Sequence, residues 1–510
     1  MSDRDKIKKE IVQQFKSNAF ILKKEAVDCI VNSLEEYDKD RRKRWIERII
    51  DGLRKENLSN GVIDLAILKS VHETVNNSNS ERIRLVNVFD VTTVPRWEIS
   101  PDGTKVIAVS PSASLTGHVS LATEALRQRL LLVYQRLRRD RRMAGWKFSA
   151  IDSLLADSAG EDVVVLGMLV RLAEDQFVIE DLTGTIPLEM GPSTVFHSGI
   201  FAEGSVMLFE GRWDGAVLIA SAIGLVPPEG VEETRSVIGN NNWFGGKDRI
   251  AFRSCPKLRS LEARNRDSQL VFLSDVHLDK PKTVEAVYSL LSGFSSCPPS
   301  AFVFCGDFCS SPMQPDTMVI MEMAFAKLAT MMKQYATAFS ATDFIFVPGM
   351  HDPSLPLVLP RPPLPPSLQA PFSQMSNCTF TTNPARIQFA SQEIVVFRND
   401  TVERLCKSAV HVPEKLEDLG DKAARTIVSN GHLCPLPPPY QPVIWPLDST
   451  LRLLPLPDLL VLADRFEAFE SKQESCLVAN PGPFGRLSFD FHVYCPDTRT
   501  MEPSSISMPS

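Results

Sequence analysis

The stretches LVFLSDVHLDK at 270–280 and AFVFCGDFCSS at 301–311 decide the reading of this chain. Residues 270–273 and 301–305 are uninterrupted apolar runs, and each ends in a polar cluster: Asp275 and His277 after the first, Gly306 and Asp307 after the second. A third run, 344–347, ends in Pro348, Gly349, Met350, His351 and Asp352. Continuous apolar strands belong to a sheet covered on both faces, and ligands gather beyond the carboxyl ends of such strands. Three strands therefore aim Asp275, His277, Asp307 and His351 at one place. Helix-like stretches at 283–291 and 317–335 separate them, which predicts parallel strands joined by crossovers. Further strands are expected at 393–398, 426–428, 459–462 and 488–494, and the proline-rich 353–371 is expected to lie extended on the surface.

The chain is long enough for several domains, with 510 residues. Its net charge of −7 argues against a surface that binds nucleic acid throughout, although local basic patches stay compatible with it. The ten cysteines form no CxxC pair, so neither a zinc ribbon nor a disulfide framework is signalled, and free thiols suit the cytosol or nucleus. The charged start MSDRDKIKKE has no apolar core of a signal peptide, and no apolar run is long enough to span a membrane.

Moving toward the N-terminus, the Gly- and Asn-rich 229–260 reads as a connector. Residues 146–228 hold about five short strands, at 163–170, 176–180, 186–190, 205–210 and 217–220, which predicts a β-barrel of OB type. Its Phe177, Phe201, Phe209 and Trp213 fall on apolar positions with few cations nearby, so core packing is favoured over base stacking. Residues 76–145 read as a linker at 76–82, short strand-like runs within 83–110, among them 106–109, and a basic amphipathic helix at 118–142 with Arg136, Arg138, Arg139, Arg141 and Arg142. That run is either a solvated helix face with favourable charge at its end or a phosphate-contact surface. Residues 1–75 are helical in periodicity (Ile7, Ile11, Val12 and Phe15; Phe20, Ile21, Val27, Ile30, Val31 and Leu34; Trp45, Ile46, Ile49, Ile50 and Leu53), with Ser59 and Asn60 as break signals, and predict a small all-α module suited to docking.

A two-metal phosphoesterase needs anionic and imidazole ligands on both ions and one bridging carboxylate. The order Asp275/His277, Gly306/Asp307, Gly349-Met350-His351-Asp352 and Gly431-His432-Leu433-Cys434 resembles the motif series of the calcineurin-like metallophosphoesterases. The departures from it are Met350, where that family has an asparagine ligand, and Cys434, where it has a histidine. A thioether is a poor ligand for a hard cation. Mapped by that resemblance, one ion keeps Asp307 and His432 alone, and the other keeps Asp275, His277, Asp307 and the Cys434 thiol, a donor set for a single leftover zinc. A metal-free remnant at these vestigial positions is the favoured expectation.

A helical module (1–75), an OB-fold (146–228) and a broken phosphoesterase domain (261–500, with a tail at 501–510) together resemble the B subunits of the replicative DNA polymerases, most of all the epsilon branch. FHSGIFAEG (196–204), NNWFGGK (241–247), FVPGMHDPS (346–354), FTTNPARIQF (380–389), SNGHLCPLP (429–437) and LPDLLVLAD (456–464) carry the likeness. It implies a nuclear, non-catalytic accessory subunit with no cofactor. Such a subunit holds the C-terminal zinc-binding region of the polymerase catalytic subunit, joins the helicase assembly (GINS) through the N-terminal module, and meets DNA mainly through the holoenzyme. The alternatives are an active metal-dependent phosphodiesterase, with His351 as general acid and a metal-bound water near Asp307 as nucleophile, or an autonomous single-strand-binding OB protein.

Overall fold

The computed structural model describes the chain apart from residues 1–2, 19, 35–44, 47–48, 51–52, 54–61, 66, 69–70, 72–83, 102–104, 110–115, 157–159, 312–314, 355–356, 413–414, 487–488 and 508–510. The break signals at Ser59 and Asn60 and the linker sequence 76–82 lie outside the described residues. Two compact units emerge, 1–84 and 85–510.

In the first unit, helices α1 (Asp3–Ser17) and α2 (Lys24–Leu34) bury Ile11 and Phe15 from one and Val27, Ile30, Val31 and Leu34 from the other, whereas Val12 and Ile21, also singled out by the helical period, are exposed. Ile46, Ile49, Ile50 and Leu53 complete the same core. The unit is not wholly helical, because residues 21–22 and 62–63 form a short parallel pairing.

The second unit is built around a sandwich of two six-stranded sheets. Its strands and helices, in chain order, are β1 (Val86–Phe89), α3 (Ser120–Leu137), the barrel strands β2 (Asp162–Ala173), β3 (Gln176–Glu180), β4 (Thr185–Phe196), β5 (Val206–Trp213) and β6 (Leu218–Gly224), then β7 (Leu270–Ser274), α4 (Pro281–Phe294), β8 (Ala301–Cys305), α5 (Pro315–Gln334), β9 (Asp343–Val347), β10 (Cys378–Phe380), β11 (Ala385–Phe389), β12 (Gln392–Arg398), α6 (Thr401–Ser408), α7 (Leu419–Asn430), β13 (Leu459–Ala463), β14 (Phe469–Gln473), β15 (Cys476–Asn480), β16 (Asp490–Cys495) and β17 (Thr500–Ser505). The first sheet runs β10-β9-β8-β7-β16-β17, with β7 to β10 parallel, and the second runs β14-β15-β13-β12-β11-β1.

The two-residue period of a strand divides each apolar run between two cores. Val271 and Leu273, Phe302 and Phe304, and Phe344 and Phe346 face α4 and α5. Leu270 and Phe272, Ala301 and Val303, and Ile345 and Val347 face the second sheet, against Ile387, Ile394, Val396, Leu459 and Val461. The other face of that second sheet, with Val395, Phe397, Leu460 and Leu462, packs on Val402, Leu405, Ala423 and Ile427 of α6 and α7. The result is four layers, helix–sheet–sheet–helix.

Several expectations need correction. Residues 426–428 are helical, inside α7, since Leu419, Ala423, Ala424 and Ile427 recur at helical spacing and Gly431 ends the helix in the left-handed conformation at φ 61°. The proline-rich segment is not wholly a surface strap, because Leu359, Leu364 and Leu368 turn inward and are buried, while Leu357 stays exposed. Residues 86–89, within the 83–110 stretch of short strand-like runs, form the antiparallel edge strand beside β11. Residues 501–505, read as tail, pair with β16.

The five barrel strands close in the order β5-β6-β4-β3-β2. Phe201, Phe209 and Trp213 lie in the barrel's core cluster and Phe177 packs against it. Helix α3 is wedged between barrel and sandwich. Leu130, Val133 and Leu137 meet the barrel's Leu166, Met168, Val206 and Leu208, while Leu131 and Leu132 share a cluster with Leu454. Barrel and sandwich also touch directly: Thr426 Oγ1 accepts from the Ile200 N–H at 3.0 Å, and Asn430 Oδ1 from the Val206 N–H at 2.8 Å.

Candidate functional site: a cleft of strand ends closed by an arginine

The carboxyl ends of β7, β8 and β9 converge as the apolar runs predict. Asp275 follows β7 with φ 53°, a left-handed conformation uncommon for a non-glycine residue. Asp307 follows β8, and His351 follows β9 by four residues. The His351 N–H donates to Asp307 Oδ1 at 2.9 Å, and His351 Nδ1 lies 2.6 Å from Asp307 Oδ2. That hydrogen bond raises the His351 pKa. Burial raises Asp352 to about 7 while both its oxygens accept backbone N–H groups, from Phe308 at 2.8 Å and Gly349 at 2.7 Å. Such interlocked loops need glycine at both crossings. A Cβ on Gly306 would come within 2.0 Å of Asp352 Oδ2, and one on Gly349 within 2.0 Å of Asp307 Oδ1.

The second sheet supplies what the sequence reading missed. Arg398, last residue of β12, enters the cleft fully buried and bonds three carboxylates. Its Nη2 donates to Asp275 Oδ1 at 2.6 Å and to Asp307 Oδ2 at 3.3 Å, and its Nη1 donates to Asp400 Oδ1 at 2.9 Å. Burial alone would lower the guanidinium's pKa, but Asp275, Asp307 and Asp400 outweigh it and raise it well above its ordinary value. Burial likewise works against ionised Asp307 and Asp400, and Arg398 overrides it, holding both below the usual carboxylate range. The backbone of Arg398 is fixed by Asn383, whose Nδ2 donates to its carbonyl at 2.6 Å. At the neighbouring strand end, after β13, burial pushes Asp464 up to about 6, and Arg465 reaches the outer oxygen of Asp400 at 3.0 Å. His277 opens onto the cleft with its Nε2 3.9 Å from Asp275 Oδ1, and burial lowers its pKa.

His432 and Cys434 do not join this cleft. The GHLC sequence follows the end of α7, where His432 Nε2 lies 3.2 Å from Asp448 Oδ1 and Cys434 donates its N–H to His432 Nδ1 at 3.0 Å. Asp448 is held by Arg129 of α3 at 2.6 Å and by Arg452 at 3.1 Å, all three wholly buried. Burial, reinforced by Arg129, lowers His432 to about 4, and burial raises the Cys434 thiol to about 11. The donor set Asp275, His277, Asp307 and Cys434 is therefore not assembled. Among the described residues no group of three or more His, Cys, Asp or Glu side chains is arranged to hold a metal ion.

The metals that the motif resemblance implies do not fit the residues present. A guanidinium already occupies the space between Asp275 and Asp307, and Met350 is buried in the core below α6 and α7 rather than offered to the cleft. Arg398 brings positive charge without Lewis acidity: it has donors only and no position at which a water could be activated.

The arginine run begins at the end of α3 and continues into the turn that follows it. Arg136 is buried and donates to the Val428 carbonyl at 3.3 Å and to that of Ser429. Arg139 pairs with Glu229 at 2.7 Å, and Arg142 with Asp140 at 2.9 Å and Glu474 at 3.1 Å. Arg138 lies beside the Tyr134 ring at 5.8 Å, and Arg138 and Arg141 are exposed. Of the five arginines only Arg136 is buried in the joint between barrel and sandwich, while Arg138, Arg141 and Arg142 are exposed. The signal for Arg398 was available in IVVFRND, where an apolar run ends in charge as the other strands do; the match of GHLC to a motif drew the reading elsewhere.

Comparisons with known proteins agree with this architecture. The sequence profile of the DNA polymerase alpha/epsilon B subunit matches residues 270–471. The DNA polymerase epsilon subunit 2-like OB-fold profile matches 119–227, and the N-terminal profile of DNA polymerases epsilon matches 3–77. The chain is 40% identical to the probable DNA polymerase epsilon subunit 2 of Caenorhabditis elegans, over 99% of this chain and 95% of that one. It is 33% identical to the human DNA polymerase epsilon subunit 2, over 98% and 99%. A solved archaeal phosphodiesterase aligns at 12% identity and a TM-score of 0.26, over 47% of this chain and 99% of its own. Full-length identity of this order, three successive profile matches, and the barrel and sandwich described above make the chain a member of the DNA polymerase epsilon subunit 2 family, the epsilon branch of the polymerase B subunits.

Proposed function

We propose that this chain is a structural subunit of the nuclear DNA polymerase epsilon. Its barrel and sandwich grip the C-terminal zinc-binding region of the catalytic subunit, and its N-terminal unit ties the polymerase to the helicase assembly (GINS). It carries out no hydrolysis of its own. The observation that carries this reading is Arg398, which engages the carboxylates a phosphoesterase would use to hold its metals. Helix α3 supports it from another side. It braces the barrel against the sandwich through buried apolar contacts and the Arg129–Asp448 pair, making one body suited to holding a partner in fixed geometry.

The test is co-expression of the full chain with the C-terminal region of the catalytic subunit, followed by size-exclusion chromatography and a phosphodiesterase assay in added Mn2+. A stoichiometric complex without turnover is expected. Failure to form the complex overturns the scaffold reading, and turnover abolished by Asp307→Asn makes the chain an enzyme. Removing residues 1–84 is expected to leave the complex with the catalytic subunit intact and to abolish binding to GINS. GINS binding that survives the truncation removes the proposed role of the N-terminal unit.

A further inference from the structure

Three carboxylates do not share a buried site without a cation. Asp275 and Asp307 come from two neighbouring parallel strands of the first sheet, and Asp400 from the end of a strand in the second. All three meet one guanidinium whose side chain is 0% exposed. Two of them also have an oxygen aimed by another partner: Ser274 Oγ donates to Asp275 Oδ2 at 3.1 Å, and the His351 N–H to Asp307 Oδ1. These carboxylates are thus preorganised independently of Arg398, and they stand where the strand ends of an open or sandwiched parallel sheet gather ligands. His277 adds an imidazole at the same place, and its buried Nδ1 has no hydrogen-bond partner among the described residues.

We propose that the Arg398 guanidinium is a built-in replacement for a metal ion, and that removing it uncovers a divalent-cation site made of Asp275, His277, Asp307 and Asp400. Carboxylate oxygens and one imidazole suit Mn2+ or Mg2+, and the imidazole also admits Zn2+. A guanidinium nitrogen lies 2.6–3.3 Å from these oxygens, whereas a bound ion of this kind sits at roughly 2.0–2.2 Å. The carboxylates therefore have to close inward by a few tenths of an ångström to about 1 Å when the arginine is gone. One cation is expected, because Met350, His432 and Cys434 offer nothing to a second.

The experiment uses the full-length chain, stripped with chelator and then given Mn2+, with metal content and thermal unfolding as readouts. The wild type is expected to hold no Mn2+ and to unfold at the same temperature in chelator and in Mn2+. Arg398→Ala is expected to unfold at a lower temperature in chelator, to bind about one Mn2+ per chain, and to regain several degrees once Mn2+ exceeds its Kd by about a hundredfold. Arg398→Lys, which keeps a positive charge in the site, is expected to remain indifferent to Mn2+. Should Arg398→Ala fail to accumulate, the double variant Arg398→Ala/Asp400→Asn, with one repelling carboxylate neutralised, is read in the same way. Mn2+ held by the wild type with Arg398 in place overturns the proposal. So does an Ala variant, single or double, that folds and ignores Mn2+.

Discussion

Two buried charge clusters of this molecule are mirror images. In the cleft, one guanidinium, Arg398, serves three carboxylates. In the joint beside α3, one carboxylate, Asp448, serves two guanidiniums, Arg129 and Arg452, with His432 as a fourth member. The first sits at strand ends and opens to solvent through His351, whose side chain is 36% exposed; the second is sealed, with no member more than 4% exposed. The first gathers an excess of negative charge from the strand ends of two sheets around a single cation. The second has the composition of a rivet, since its partners come from α3 and from two segments of the sandwich. Buried ion pairs by themselves add little net stability, but stripping one partner from such a cluster is costly because the remaining charges stay buried.

The comparison breaks most visibly at its two centres. Arg398→Met, which keeps bulk and removes charge, is expected to cost about 4–5 kcal/mol in urea unfolding at neutral pH. Its carboxylates then repel one another and bind protons more readily, so the variant should recover part of that loss as the pH falls from 7 to 5, and the wild type should not. Asp448→Asn is expected to cost about 3–4 kcal/mol, with no recovery at low pH, because the uncompensated charges there are arginines. A loss under 1 kcal/mol in either variant would show that its cluster is solvated.

His432 sharpens the contrast through pH. Its pKa in the folded chain is lowered to about 4, against an ordinary 6.5. Between those values the unfolded chain binds a proton that the folded chain refuses, so stability is fully present above pH 6.5 and declines as the pH falls toward 4. The decline amounts to about 3 kcal/mol for this one group. His432→Gln is expected to flatten the acid limb of the stability profile by about that amount, and an unchanged limb would place the charge of His432 in solvent. The smallest effect belongs to the cleft's outer rim. Arg465 is half exposed beside Asp400 and Glu403, and Arg465→Ala is expected to change stability by less than about 1 kcal/mol.

The sequence makes the cleft half legible. Runs 270–273, 301–305 and 344–347 are apolar on both faces, which marks central strands, and their polar endings mark the side where Asp275, Asp307 and His351 meet. The same rule applied to 392–400 and 459–464 points to Arg398, Asp400 and Asp464. It was obscured because an arginine closing a strand reads as a surface residue until its carboxylates are known. The GHLC match misled for the opposite reason: four letters resembled a motif, but Gly431 ends α7, and His432 beyond it turns to Asp448 rather than to the cleft. The barrel was readable from its evenly spaced strands and turns. The inward-facing Leu359 of the proline-rich segment and the buried arginines of α3 were not, since their burial depends on partners such as Pro442, Asp448 and Val428, far away in sequence.

The edge strand β1 sets a timetable for synthesis. Its partner β11 lies far downstream, as the pairing of Asn87 with Gln388 across 301 positions records. The barrel, contained within residues 162–224, has all its strands in hand long before that. At about 5–20 residues per second, β1 waits roughly 15–60 s outside the ribosome with its hydrogen-bonding edge unpaired. During that interval it is shielded by no sheet, and an unpaired edge is a template for pairing with another chain. A truncation that starts at the barrel to obtain a shorter protein would move the exposure to β11, leaving the finished sandwich with a permanently uncovered edge.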